Sequence, residues 1–490
     1  MSVSVSSSAG GTGAAASVAG HPVTPHGVQG NVAWYAAPRL WAKGMQALCL
    51  PVYARMLSPG EMGVVVAIGA LGGIVELAIS PGFEGLYLRW AYTNRSRDGC
   101  VEGMGTLVVS QLALVIFGSV LLLGFGDIVV EALLPGIPRW PFYDMMLITV
   151  AVASLGAPTR ARWRYLGRAD TIAVIGFTQS MISVVTTLLA LLVFQLGAVS
   201  LLLGPLMAEL LLFPIWLPRI VSAAVEGWSR DVFRTARPLI IAGVSLGLST
   251  WALTALPRMF LQRYHGSAEV GVYGMAYQIG ASVMLMSIVL NKEWQRLVFR
   301  FASTDTHHIQ NIWNRSICLF AAVGSMLTLL SADLARIILG QQYLAVGGII
   351  PFILVIAVIQ VPRYFMYNLG LAGKNSAAVP TESVLAVAVC LIANVTLVPV
   401  FGTKGAALAG IIAFASGCVF FLFQRWNYLR IDNRATSWLI VFAGAFGVSV
   451  FTSTSLLTTV LAVPLAAMAL REGLSYWRFL GSVMPAVVER

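Results

Sequence analysis

Long apolar stretches recur along almost the whole chain and are separated by short polar or basic segments. A helix needs about 20 mainly apolar residues to cross a bilayer. Fourteen stretches are near this length, and the pattern predicts an all-α polytopic membrane protein with about 14 transmembrane helices. The predicted spans are 31–54, 63–88, 103–124, 143–160, 171–195, 199–217, 238–262, 270–290, 311–331, 346–366, 378–398, 404–424, 438–455 and 456–470.

Composition agrees with this class: 58% of the 490 residues are hydrophobic and 10% are charged. The formal net charge of +11 could indicate a nucleic-acid partner. The cations fall mainly in the loops between spans, however, as is usual in membrane proteins. The five cysteines show no spacing typical of metal ligands. No nucleic-acid partner, metal or cofactor is therefore predicted.

Loop charge predicts the orientation. With the amino terminus inside, 21 Lys and Arg residues fall on the cytoplasmic side and 5 on the opposite side. This bias predicts an even number of spans with both termini in the cytoplasm. The outer loops are short, which disfavours an enzyme that acts outside the membrane.

Two cations lie well inside the first span. Arg39 and Lys43 are four residues apart and share a helix face, and Pro38 and Pro51 indicate a bent helix. An unpaired cation at this depth costs about 3 kcal/mol or more on insertion scales, so such residues usually face a polar cavity. We interpret the pair as part of a cationic cavity for an anion. The alternative is a structural ion pair with Glu76 or Glu209.

Further charges fall in other spans. Arg258, in the seventh, is a symmetric candidate for the cationic cavity, with snorkelling to the outer surface as the alternative. Glu76 and Glu209 are candidates for ion coupling or for charge pairing. Arg315 and Arg363 lie near the predicted cytoplasmic ends of their spans and are interpreted as boundary anchors.

The two halves of the chain contain similar segments. Glu61-Met62-Gly63-Val64 leads into the second span, and Glu269-Val270-Gly271-Val272 leads into the eighth. This spacing predicts two parallel six-helix repeats with a substrate between them. The predicted division is a disordered cytoplasmic tail at 1–29, six-helix lobes at 30–236 and 237–424, and two additional helices with a cytoplasmic tail at 425–490.

Several segments resemble the polysaccharide-transporter family, which includes the lipid-linked O-antigen flippases. Residues 54–63, ARMLSPGEMG, are similar to the segment after the first helix of that family, and 269–277, EVGVYGMAY, to the opening of its eighth. Residues 164–168, RYLGR, and 401–408, FGTKGAAL, fall where the family has its fourth-to-fifth-helix loop and the entry to its twelfth helix.

The resemblance implies a member of the multidrug, oligosaccharidyl-lipid and polysaccharide exporter superfamily, with two six-helix lobes in a V and alternating access. The family often has an acid before the arginine late in the seventh helix, where this chain has Pro257. Any ion coupling through that acid is therefore not predicted here.

These observations predict a flippase that moves an undecaprenyl-pyrophosphate-linked oligosaccharide across the inner membrane for polysaccharide biosynthesis. The alternative is a small-molecule or multidrug exporter of the same fold. The expected partners are the lipid-linked glycan and the bilayer, with polysaccharide polymerase or export machinery as a further candidate. Arg39, Lys43 and Arg258 are the predicted substrate-binding residues.

Overall fold

The structure, a computed structural model, describes residues 25–83, 87, 97–225, 228–301, 306–372, 378–423, 429–451 and 455–483. Within these ranges the chain forms helices and no strand. The α-helices of eight residues or more are α1 Pro25–Met56, α2 Pro59–Ile79, α3 Arg97–Gly124, α4 Gly126–Leu133, α5 Asp144–Leu155, α6 Ala157–Tyr165, α7 Ala169–Leu192, α8 Val199–Val225, α9 Arg230–His265, α10 Ser267–Phe301, α11 Thr306–Leu329, α12 Ile350–Ala372, α13 Ala378–Leu422, α14 Asn433–Phe451 and α15 Ser455–Val483. Short helical segments at Arg139–Tyr143, Ser331–Leu334, Ala335–Leu339 and Gln341–Gly348 connect some of them.

Each of the fourteen predicted spans overlaps helix in the described residues, and the predicted fold class is confirmed. Among the described residues, nine helices are long and apolar enough to cross a membrane. One of these, α13, supplies two spans, because Gly402 adopts φ 55° and ψ −131° and interrupts it. Gly405 then lies directly against the backbone of Leu397, as in a tight hairpin of two antiparallel helices.

The helices pack as two groups joined along α2. In the first group α7 packs between α1 and α8, and α8 also contacts α5 and α3. In the second, α13 packs against α9 and α12, and α12 also contacts α10 and α11. The last two helices, α14 and α15, both pack on α11. Between the groups, α2 packs against α9 and α10, and one large apolar core runs through both groups.

Two helix ends differ from the prediction. α1 begins at Pro25, inside the predicted disordered tail, since proline is favourable in the first turn of a helix. Residues 1–24, which hold the rest of that tail, lie outside the described residues. At the other end of the chain, α15 continues to Val483, so Arg471 and Arg478 belong to a helix and not to a tail.

The start of α2 explains part of the segment that resembles the transporter family. Ser58 is the N-cap, Pro59 follows in the first turn, and the Glu61 backbone N–H donates to Ser58 Oγ over 3.3 Å. In return the Ser58 backbone N–H donates to Glu61 Oε2 over 2.9 Å, which completes a capping box. The first N–H groups of a helix have no partner within it; Pro59 has no N–H, and the capping box satisfies two of the others at the predicted outer end of α2.

The two similar glycine segments meet in the structure. At Gly63 a Cβ atom would overlap the backbone carbonyl of Ser267, and at Gly271 a Cβ atom would overlap the backbone carbonyl of Pro59. Ser267 lies four positions before Gly271, and Pro59 lies four positions before Gly63, so the two contacts are equivalent. Equivalent contacts of this kind are expected from two repeats related by a two-fold axis. Only glycine allows two helix backbones to come this close.

We expect Gly63→Ala to disrupt this contact, because the added methyl group overlaps backbone atoms that cannot rotate away. Overpacking of this kind costs roughly 1–3 kcal/mol, and the melting temperature of the purified protein should fall. Gly69→Ala, in the same helix, is the matched control because nothing lies within 4 Å of its Cβ position. A melting temperature that is equal in the two variants would show that the close contact does not contribute to stability.

Candidate functional site

Two predicted substrate-binding cations come from opposite halves of the chain. Lys43 is on α1, and Arg258 is on α9. Their positive charges are near enough to repel each other. In the described part of the chain neither has a carboxylate within 4.0 Å. The described contacts therefore leave each of these cations without a carboxylate partner.

The guanidinium of Arg258 is held by an aromatic ring. Its Cζ lies 4.6 Å from the centroid of the Tyr277 ring, and Tyr273 packs 6.2 Å from Tyr277 between centroids. The buried Nε of Arg258 finds no hydrogen-bond partner among the described residues. A ring face attracts the cation but leaves its N–H donors free, so Arg258 is positioned and can still bind an anion.

Lys43 borders a polar part of the first half. Its Nζ donates to Gln46 Oε1 over 2.9 Å. Gln46 in turn lines two neighbouring cavities of about 320 and 170 Å³, which also share Ser183 and Pro205. The smaller cavity extends to Gln278 on α10, so polar side chains of the two halves meet beside Lys43.

The two predicted acids, Glu76 and Glu209, both lie in the first half. Glu209 on α8 is 6% exposed, and Gln179 Nε2 donates to its Oε1 over 2.5 Å. Glu76 on α2 is exposed, and its charge is close enough to repel that of Glu209, while Arg160 attracts Glu209. Arg160 is itself fixed by a 3.0 Å hydrogen bond from its Nη2 to the Ala153 carbonyl. This arrangement suits either charge pairing or binding of a small cation.

The structure places the remaining predicted residue only in part. Arg39 lies in α1, one turn before Lys43, but its side chain is outside the described part of the structure. For Lys43, the alternative of a direct ion pair with Glu76 or Glu209 has no support in the described contacts. The roles of these residues stay predictions.

The interpretation of Arg363 as a boundary anchor is wrong. Its Nε lies 2.7 Å from Glu382 Oε1, and its Nη2 lies 3.2 Å from Glu382 Oε2. The Arg363 side chain is 12% exposed and that of Glu382 is fully buried, so the pair joins α12 to α13 inside the protein. Gly417 makes room for it, since a Cβ atom there would overlap both side chains.

Sequence reasoning missed the neutral groups that position the charges. Tyr277 was noted only as part of the family-like segment, and Gln46 and Gln179 were not noted at all. One signal was available for Gln46, which lies three residues after Lys43 and so on the same helix face. Neither Tyr277 with Arg258 nor Gln179 with Glu209 is close in sequence, and such contacts require the tertiary fold.

Solved structures with this fold are transporters. The chain aligns with "Lipid II flippase MurJ, inward closed conformation" at a TM-score of 0.73 and 12% identity, over 91% of this chain and 99% of that one. It aligns with an inward-facing "multidrug resistance MATE family transporter of the MOP superfamily" at a TM-score of 0.62 and 12% identity, over 84% of this chain and 96% of that one. An outward-facing structure with the same multidrug transporter title aligns at a TM-score of 0.54 and 14% identity, over 83% of this chain and 98% of that one. No protein-family model and no curated protein sequence matches the chain.

These similarities define the class of fold. The chain has the two-lobed, roughly 14-helix fold of the MurJ and MATE structures, and it is a multi-pass membrane protein. The architecture implied by the sequence resemblance is therefore confirmed. At 12% identity the likeness extends to the fold and carries no substrate with it.

We expect Glu209→Gln to retain stability, because the amide keeps the size of the side chain and an oxygen that accepts the hydrogen bond from Gln179. Glu209→Leu removes that acceptor and should cost about 1–3 kcal/mol, the penalty of a buried polar group left unpaired. Melting temperatures of the two purified variants test this difference. If Glu209→Gln is as unstable as Glu209→Leu, the negative charge opposite Arg160 is what the fold requires.

Proposed function

We propose that this protein is a flippase for a lipid-linked oligosaccharide, an undecaprenyl-pyrophosphate repeat unit, which it moves across the bacterial inner membrane by alternating access. The observation that carries the proposal is that Arg258 is held against the Tyr277 ring with a buried donor unpaired, and that neither Arg258 nor Lys43 of the other half has a carboxylate within 4.0 Å in the described part of the chain. Arg39, on the same helix as Lys43, is the third member of the proposed site.

The chemistry of the substrate favours such a site. A pyrophosphate bears at least two negative charges, and their removal from water is the main barrier to crossing the bilayer. Arginine and lysine make short, charge-assisted hydrogen bonds to phosphate oxygens. A head group bound between Lys43 and Arg258 relieves the repulsion of these two cations. The two cations in turn neutralise the negative charge of the head group. The apolar tail then stays outside, in the bilayer.

Alternating access follows from the same geometry. The contact at Gly63 and Gly271 joins the halves at the predicted outer ends of α2 and α10. Each half contributes one cation, so a rocking motion of one half against the other changes access to the head group while both remain near it. The MurJ structure is titled a lipid II flippase, and its two-lobed fold supports transport in this chain. Transport of this kind needs no covalent chemistry, in accord with the expectation of a non-enzyme.

A small-molecule or multidrug exporter of the same fold is the second candidate. The observation that favours it is the pair of nearby acids Glu76 and Glu209, which suits a cationic ligand or a coupling ion in the first half. The MATE structures titled as multidrug resistance transporters share the fold. For a cationic drug, however, Lys43 and Arg258 would repel the ligand where the two halves meet.

We expect Lys43→Ala and Arg258→Ala each to lower flipping of a lipid-linked oligosaccharide by roughly tenfold or more, since a charge-assisted hydrogen bond is worth about 1.5–3 kcal/mol. The measurement is rescue of surface glycan in a flippase-null strain, together with accumulation of the lipid-linked intermediate, at matched membrane abundance. Arg263→Ala and Arg336→Ala are controls, because these arginines are exposed near the predicted outer ends of their helices.

Glycan export by the alanine variants at the level of the wild type would contradict the cationic site. If the wild type gives no rescue but lowers accumulation of a cationic dye, and Glu209→Gln abolishes that effect, the exporter alternative is correct. Arg39→Ala belongs in the same series, and we expect it to resemble Lys43→Ala.

A further inference from the structure

A second basic site lies far along the chain from Lys43, among the last helices. A groove of about 720 Å³ opens between α11, α14 and α15. Four arginines line it, and they come from all three helices: Arg315, Arg434, Arg471 and Arg478. Its volume is in the range of pockets that bind small ligands or head groups.

The groove carries more positive charge than its neighbouring acid balances. The Nη2 of Arg434 lies 2.6 and 2.8 Å from the two carboxylate oxygens of Glu472, and Trp438 Nε1 donates to Glu472 Oε1 over 3.3 Å. Glu472 is thus already occupied. Arg471 and Arg478 are exposed, and within the ranges that the structure describes neither lies within 4.0 Å of a carboxylate.

Arg315 is held in place at the wall of the groove. Its Cζ lies 4.3 Å from the centroid of the Phe479 ring, and its Nη1 lies 3.4 Å from the Ser475 carbonyl. These contacts fix the direction of the guanidinium but leave further N–H donors for a ligand. Arginine positioned in this way is suited to the oxygens of a phosphate group.

The segment of α15 that bears the other arginines is anchored to the protein. Tyr476 is 2% exposed, its hydroxyl accepts a 2.7 Å hydrogen bond from Trp294 Nε1, and it lies 3.2 Å from Ser316 Oγ. Leu480, one turn later, is 1% exposed. Positions 471, 475 and 478 share the face of α15 that turns to the groove, with spacings of four and three residues. The arginines therefore lie on a fixed wall.

The position of the groove relative to the apolar surface indicates a lipid. Arg471 follows directly on the apolar run of α15, and Leu470 and Leu474 beside it are 67% and 53% exposed. A basic pocket at the end of membrane helices, flanked by exposed leucines, combines the two surfaces that an anionic lipid presents. The predicted orientation places this end at the cytoplasmic surface.

We propose that this groove binds the phosphate head group of an anionic lipid of the cytoplasmic leaflet, with the acyl chains along Leu470 and Leu474. The site is separate from the proposed cavity at Lys43 and Arg258 and does not depend on flipping. The shared chemistry is a phosphate that bridges Arg315 with Arg471 and Arg478. A free phosphate ion has the same charged group, but it makes no use of the exposed leucines.

The test uses the purified full-length protein in neutral detergent and follows its melting temperature during titration with phosphatidylglycerol, phosphatidylcholine or sodium phosphate. We expect stabilisation by phosphatidylglycerol, little by phosphatidylcholine, and little by phosphate at millimolar concentration. In Arg471→Gln/Arg478→Gln the response to phosphatidylglycerol should fall at least twofold. The control Arg230→Gln/Arg234→Gln removes two exposed arginines at the start of α9 and should respond like the wild type.

A second variant keeps the test decisive if the double glutamine variant does not fold. Ser475→Glu retains every arginine but puts a carboxylate into the groove, and it should abolish the response to phosphatidylglycerol. An unchanged lipid response in the groove variants would overturn the proposal. Stabilisation by free phosphate equal to that by phosphatidylglycerol would also overturn it, because the groove would then be a site for a soluble anion.

Discussion

The close packing of α2 against α10 is the contact on which the rest of the arrangement depends. Gly63 and Gly271 each lie against the backbone of the opposite helix, so at this point the two helices meet with no side chain between them. Such a contact fixes how near the two halves stand at one end. It also sets the space that remains further along the helices, where α1 and α9 carry their cations.

The charged groups of the structure differ in the partners they have. In the second half, Glu382 is fully buried and is satisfied by the two nitrogens of Arg363, as a charge removed from water requires. Lys43 and Arg258, one from each half, have the neutral partners Gln46 and Tyr277 among the described residues. A structural role explains the first arrangement well. The second leaves both cations free to bind an anion, as the proposed function requires.

Sequence alone predicted the helices and their number, because about 20 apolar residues between basic loops is a strong local signal. It also related Gly63 to Gly271 by a repeat, although it gave no indication that the two glycines touch. The candidate site was less predictable. Depth in a span identified Arg39 and Lys43 as unusual, and the repeat suggested Arg258 as their counterpart. Nearness to a span end placed Arg363 at a membrane boundary and gave no sign of its partner Glu382, which lies 19 residues away on another helix. Partners of this kind follow from tertiary packing and have no local pattern.

The most direct test of the central claim is a double-mutant cycle on binding of a lipid-linked pyrophosphate to the purified protein, with Lys43→Ala, Arg258→Ala and the double variant. Two cations that bind one head group share its negative charge, so the loss in the double variant should differ from the sum of the single losses by about 1 kcal/mol or more. Affinity losses that add within about 0.5 kcal/mol would contradict the claim, since they would mean that the two residues act at independent places.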